Sequence, residues 1–153
     1  SCSVIVVSDS RTEQNDESGK YIMQILKKHS HEVLSYALLK NDADAILNRV
    51  NELLDEEKLQ VIITSGGTGI SCRDVTVETI SPILGKNIDG FGELFRFLTY
   101  QQIHTGSIMS RATAGVTRDK VIICLPGSLG AVSLAMEKII LPEIGHMVRE
   151  AQR

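Results

Sequence analysis

Val61-Ile62-Ile63-Thr64-Ser65-Gly66-Gly67-Thr68-Gly69 is the stretch on which the reading of this chain turns. Its first three residues are continuously apolar and β-branched, as in a strand covered on both faces. The glycines that follow remove Cβ atoms, permit positive φ and let a ligand approach the backbone closely. Successive N–H groups in such a loop can form an anion-binding concavity, with the Thr and Ser hydroxyls as further donors. A tight turn without a ligand is the alternative. Its place at the carboxyl end of a core strand, where open α/β sheets take ligands, favours the binding loop. Neither generic nucleotide fingerprint fits: Cys72 stands where a third dinucleotide-type glycine belongs, and no GxxxxGK[ST] occurs.

Two more runs share the strand's character, residues 4–7 and 121–125. Residues 32–39 alternate more and read as a strand nearer an edge; residues 111–117 are a fifth candidate. Between them, Ile22, Ile25, Leu26 and His29 follow helical spacing within residues 18–30, and Ile46, Leu47, Val50, Leu53 and Leu54 do so within 42–57. Phe91, Leu94, Phe95 and Leu98 give a third stripe, and Val132, Ala135, Met136, Ile139 and Ile140 a fourth. Pro142 suits the first turn of a closing helix over 143–151. Strands alternating with amphipathic helices predict one α/β domain over residues 1–153: a three-layer α/β/α sandwich around a mainly parallel sheet.

A length of 153 residues agrees with one domain. No apolar stretch nears the roughly eighteen residues of a membrane span, and the apolar start at residues 4–7 lacks the basic flank of a secretion signal. The net charge of −3 argues against a nucleic-acid partner. Cys2, Cys72 and Cys124 form no CxxC pair, and His29, His31, His104 and His146 form no metal motif. The expectation is a cytoplasmic protein with no structural metal and no membrane or nucleic-acid partner.

Other residues could carry chemistry. Ser8-Asp9 and the polar run after them leave the first strand where ligands bind. Arg73-Asp74 follows the glycine loop; a carboxylate there can hold Mg²⁺ beside substrate phosphates, or Asp74 or Thr76 can cap the helix starting near Val77. Asp42 precedes a helix and reads first as its N-cap. Pro126-Gly127-Ser128 is a second strand–turn–helix junction, with Ser128 as N-cap and a helix dipole aimed above the sheet. If the two preceding strands are neighbours, both glycine bends face one crevice. Arg11 and Arg73 are candidates for offsetting phosphate charge. Gly90-Phe91-Gly92-Glu93 opens the aromatic helix, where Glu93 faces the crevice or favours the helix N-terminus. GxSxG is absent, and no His can be placed beside Ser65, Cys72 or Ser128, which argues against a hydrolase nucleophile.

Together, Thr64-Ser65-Gly66-Gly67-Thr68-Gly69, Arg73-Asp74-Val75-Thr76, Glu78, Gly90-Phe91-Gly92-Glu93, Ser110-Arg111 and Leu125-Pro126-Gly127-Ser128 resemble the signature of the MoaB/Mog family of molybdenum-cofactor biosynthesis proteins. Ser8-Asp9 ends the first strand as that family requires, and Ile88-Asp89 leans towards the MoaB branch. The resemblance implies adenylyl transfer: the terminal phosphate of molybdopterin attacks the α-phosphorus of ATP with Mg²⁺. It assigns catalytic weight and Mg²⁺ contact to Asp42 and Asp74. It gives substrate and nucleotide contacts to Ser8, Asp9, Thr64, Ser65, Gly66, Gly67, Thr68, Gly69, Arg73, Glu93, Gly127 and Ser128. It further implies a homotrimer or homohexamer and leaves room for a separate molybdenum insertion protein as partner. Two rivals stay open. One is a molybdopterin carrier of the same pathway without catalysis. The other is a flavodoxin-like redox or signalling domain, against which residues 8–15 lack the density of a flavin phosphate loop.

Overall fold

Alternation explains how one sheet supports two cores. In β1 (Cys2–Val7) every residue is buried, as in β6 (Lys120–Leu125) and β3 (Val61–Ser65). Successive side chains leave a strand on opposite faces. Val4, Val6, Val61, Ile63, Val121, Ile123 and Leu125 therefore join one cluster, while Ile5, Val7, Ile62, Ile122 and Cys124 join another. The computed structural model describes residues 1–153, and its sheet has the order β2-β1-β3-β6-β5-β4. Here β2 is Val33–Leu39, β4 Lys86–Asn87 and β5 Thr113–Thr117.

The neighbours β2, β1, β3 and β6 pair in parallel. Only β5 runs against its neighbours. It is tied to β6 by a two-residue turn in which Arg118 and Asp119 both take positive φ, the geometry that matches strand twist in a tight hairpin. The predicted edge strand is an edge strand: β2 pairs with β1 alone.

Helices cover both faces. α1 (Glu17–Lys28) buries Ile22 and Leu26 in the first cluster. α4 (Asp89–Ile103) adds Phe91 and Phe95 to it, their rings stacked with centroids 6.3 Å apart. On the other face α2 (Ala43–Leu54) buries Ile46, Val50, Leu53 and Leu54 beside Ile80 of α3 (Thr76–Ile80). Burying each such side chain contributes about 1.5–3 kcal/mol.

The last two predicted helices are one. α5 (Leu129–Ala135) passes through a π-helical turn, Met136–Ile140, into α6 (Leu141–Ala151) without leaving helical dihedrals. Pro142 lacks the N–H that an α-helical ladder needs. The wider turn before it absorbs the proline without breaking the axis.

Strand order reverses beside β1: the chain steps from β1 to β2 on one side, then returns to β3 on the other. Loops leaving β1 and β3 therefore diverge and open a crevice at their carboxyl ends.

Candidate functional site

A cleft of about 530 Å³ occupies that crevice, lined by Ser8, Asp9, Arg11, Gly66, Gly67, Thr68, Gly69, Asp74, Gly127 and Ser128 among others. Most of the residues singled out from sequence therefore meet in one place. A hollow of similar size, about 570 Å³, lies around the β5–β6 turn, and none of those residues lines it.

The two glycine bends touch. Gly66 N–H donates to Leu125 O at 2.9 Å, and Ser65 Oγ donates to Pro126 O at 3.0 Å. A Cβ at Gly127 would stand 3.5 Å from Gly66 Cα. Gly66 has φ +105°, and a Cβ on it would lie 2.0 Å from Val7 O. Only glycine fits there. Gly69 has a different reason: a Cβ would lie 2.7 Å from Asp74 Oδ2, so the missing side chain lets the carboxylate approach the loop.

Every carbonyl of the loop is occupied. Thr76 Oγ1 donates to Gly66 O at 2.9 Å, Thr76 N–H to Gly67 O at 3.0 Å, and Arg111 to Thr68 O and Gly69 O. By contrast, the amides of Gly67, Thr68, Gly69 and Ile70 donate to no group of the protein. That combination is a donor-only cradle. Across the cleft, Ser128 Oγ caps α5 by accepting from Ala131 N–H at 3.3 Å, which sets a helix N-terminus at the rim.

Carboxylates occupy the near wall. Asp74 Oδ2 accepts from Ser71 N–H at 3.1 Å. Asp9 Oδ1 accepts from Asn41 N–H at 3.0 Å, and its Oδ2 from Arg73 Nη2 at 2.7 Å and Nε at 3.1 Å. The Arg73 guanidinium holds the Asp9 carboxyl below its ordinary range, and Asp9 raises Arg73 in return. No three or more His, Cys, Asp or Glu side chains are grouped so as to hold a metal ion by themselves. Two hard oxygen donors beside a phosphate-type cradle suit a cation that takes its remaining ligands from substrate and water, the habit of Mg²⁺.

Some expected residues stand elsewhere. Asp42 caps α2, its Oδ1 accepting from Asp44 N–H at 2.9 Å and Ala45 N–H at 3.1 Å; its neighbour Asn41 lines the cleft instead. Neither Asp74 nor Thr76 caps α3: the capping position is Val75, without a side-chain bond. Both polar groups are claimed by the loop, Thr76 by Gly66 O and Asp74 by Ser71 N–H. Thr64 and Ser65 are buried beneath the cleft floor, and Glu93 is exposed on α4 outside the lining. Arg11 lines the cleft and donates from Nη2 to Gly127 O at 2.7 Å. Ser18 Oγ donates to the same oxygen at 2.8 Å. Behind them Asp16, 1% exposed, accepts from Tyr36 OH at 2.6 Å and Gly19 N–H at 2.9 Å. Nothing local in the sequence marks Asp16, or Asn41 and Met109, both of which line the cleft.

Comparison with known proteins gives the chain's relatives. A family model described as "Probable molybdopterin binding domain" matches residues 3–146. The chain is 44% identical over 153 residues to Molybdenum cofactor biosynthesis protein B of Bacillus subtilis (strain 168), an alignment covering 99% of this chain and 90% of that protein. Against the protein of that name from Staphylococcus aureus (strain MRSA252), identity is 46% over 150 residues, with 96% and 89% covered. Among solved structures, the tungsten cofactor synthesizing protein MoaB from Pyrococcus furiosus superposes with a TM-score of 0.91 at 35% identity, covering 99% of this chain and 96% of that one.

Proposed function

The chain belongs to the molybdopterin-binding family of molybdenum cofactor biosynthesis proteins, in its MoaB branch, and from that premise we propose that it is a molybdopterin adenylyltransferase. The observation that carries the reading is the cradle of unpaired amides at residues 67–70 facing a carboxylate-bearing cleft.

In the proposed reaction a terminal phosphate oxygen of molybdopterin attacks the α-phosphorus of ATP. A new P–O bond forms, the bond to the β-phosphate oxygen breaks, and pyrophosphate leaves with its electron pair. Such transfers ask the protein for positioning and charge neutralisation rather than covalent help. Gly67, Thr68 and Gly69 hold one phosphate group by their amides; Gly127 and Ser128 offer the second bend to the other. Arg11 and Arg73 offset charge, with Ser8 and Asp9 completing the wall. Mg²⁺, when bound, supplies neutralisation of the leaving pyrophosphate. Asp74, and Asp9 once released from Arg73, are the carboxylates placed to hold it. Asp42, outside the lining, fixes the start of α2 through its Oδ1 and so steadies the neighbouring Asn41.

Purified protein given ATP, MgCl₂ and molybdopterin is expected to release pyrophosphate and form adenylylated molybdopterin, read by a coupled pyrophosphate assay. Binding of molybdopterin without pyrophosphate release would replace the transferase with a carrier.

The proposal includes self-assembly in the cytoplasm as a homotrimer or homohexamer. On α4 and the 3₁₀ segment after it (His104–Met109), Phe97 is 60% exposed, Ile103 58% and Ile108 80%. With Leu94 and Tyr100 they form an apolar strip, an uncommon surface for a protein that stays alone. Sedimentation is expected to show three or six copies, and Phe97→Glu is expected to shift the protein towards monomer. A wild-type monomer would refute this part.

A further inference from the structure

We infer that Arg111, held by Glu78, is the positioning residue that turns part of the glycine loop into an anion receptor; the inference rests on the reading of the cleft as a phosphate site. The reason lies in the peptide unit itself. In a planar trans peptide the C=O of one residue and the N–H of the next point in opposite directions. Fixing a carbonyl on one side therefore fixes the following amide on the other.

Two residues behind the loop do this in pairs. Thr76 takes the carbonyls of Gly66 and Gly67 through its hydroxyl and its own amide, which aims the amides of Gly67 and Thr68. Arg111 takes the next two carbonyls. Its Nε donates to Thr68 O at 3.3 Å and to Gly69 O at 3.0 Å, and its Nη2 donates to Gly69 O at 2.6 Å. That aims the amides of Gly69 and Ile70. Neither Thr76 nor Arg111 lines the cleft, whereas Gly66, Gly67, Thr68 and Gly69 do. The amides consequently face the cleft side.

Glu78 supplies the other half of the device. Arg111 Nη1 bonds its Oε1, and Nη2 bonds its Oε2 at 3.2 Å. Glu78 belongs to α3, the helix that also begins with Thr76, so both carbonyl-holding groups share one rigid support. The pairing also cancels the cation's charge, so Arg111 acts by geometry rather than by attracting the anion from afar. A lysine cannot replace it, because only a flat guanidinium offers enough donors in fixed directions to serve two carbonyls and two carboxylate oxygens at once.

The test uses inorganic pyrophosphate as probe, titrated into the full chain and followed by calorimetry and by backbone amide NMR. Wild type is expected to bind, with shifts at Gly67, Thr68, Gly69 and Ile70. Arg111→Lys is expected to weaken binding about ten- to a hundredfold, the range for outer groups that orient ligating atoms. In that variant the responses of Gly69 and Ile70 should collapse while those of Gly67 and Thr68, held by Thr76, persist. Glu78→Gln, which keeps a hydrogen-bonding oxygen, should show the same selective loss more weakly, and it serves if Arg111→Lys fails to fold. Wild-type affinity in both variants would overturn the inference, as would an equal loss at all four amides with an unchanged Tm. Failure of the wild-type protein to bind would instead refute the phosphate reading of the cleft.

Discussion

Replacing Asp74 by Ala is expected to leave a folded protein without the proposed adenylyl transfer. The carboxylate reaches the cleft, and its one recorded bond within the protein is to Ser71 N–H. Losing that exposed bond costs stability of at most about 1 kcal/mol. In a chain of this size such a loss lowers Tm by about 2–4 °C. Losing a preorganised charge at the reacting phosphates costs far more in rate, about 10²–10³-fold in kcat. Asp74→Asn keeps the hydrogen-bond acceptor but not the charge. It should restore Tm without restoring kcat. Measuring both variants for kcat and thermal unfolding separates the roles: activity retained by Asp74→Asn would show that the charge is not needed.

Gly66→Ala is expected to do the reverse damage, striking the fold first. Its φ of +105° lies where side chains are strained, and the new Cβ would meet the Val7 carbonyl at 2.0 Å. That oxygen belongs to the end of β1, so relief requires the β1 and β3 termini to part. Strain of this type costs about 1–3 kcal/mol before any clash is counted. A loss of roughly 3 kcal/mol in total corresponds to a Tm about 6–12 °C lower. Gly130→Ala is the control, because nothing lies within 4 Å of a Cβ added there. Within α5 it should be neutral or raise stability by up to about 1 kcal/mol. Equal Tm values for the two variants would contradict this account of the glycine bend.

Much of the architecture was legible because it follows from composition over short spans. Residues 61–63 and 121–125 are continuously apolar and mostly β-branched, and they form adjacent parallel strands. Asp42 and Ser128 precede amphipathic runs, and both cap helices. Other features left no local trace. β4 is two exposed polar residues, Lys86 and Asn87, paired only because β5 presents an open edge. The continuity of α5 into α6 was hidden by Pro142, since a proline reads as a helix start whether or not a wider turn precedes it.

At the site, the glycines revealed the cradle, but the groups that aim it did not reveal themselves. Arg111 lies 42 residues from Gly69, and their bond spans most of a crossover. Thr76 looked like a capping residue, because a threonine beside a helix start is usually that. Asp16 carried no motif at all, although its burial beside Tyr36 sets the position of the α1 N-terminus beneath Gly127.

The contact between Gly66 and Gly127 has a practical corollary for anyone who wishes to re-engineer substrate choice. Each bend forms part of the other's van der Waals boundary, so the pair is one unit of inheritance rather than two. Transplanting either segment alone from a distant relative should misalign both, whereas exchanging residues 64–69 and 125–128 together preserves their mutual fit.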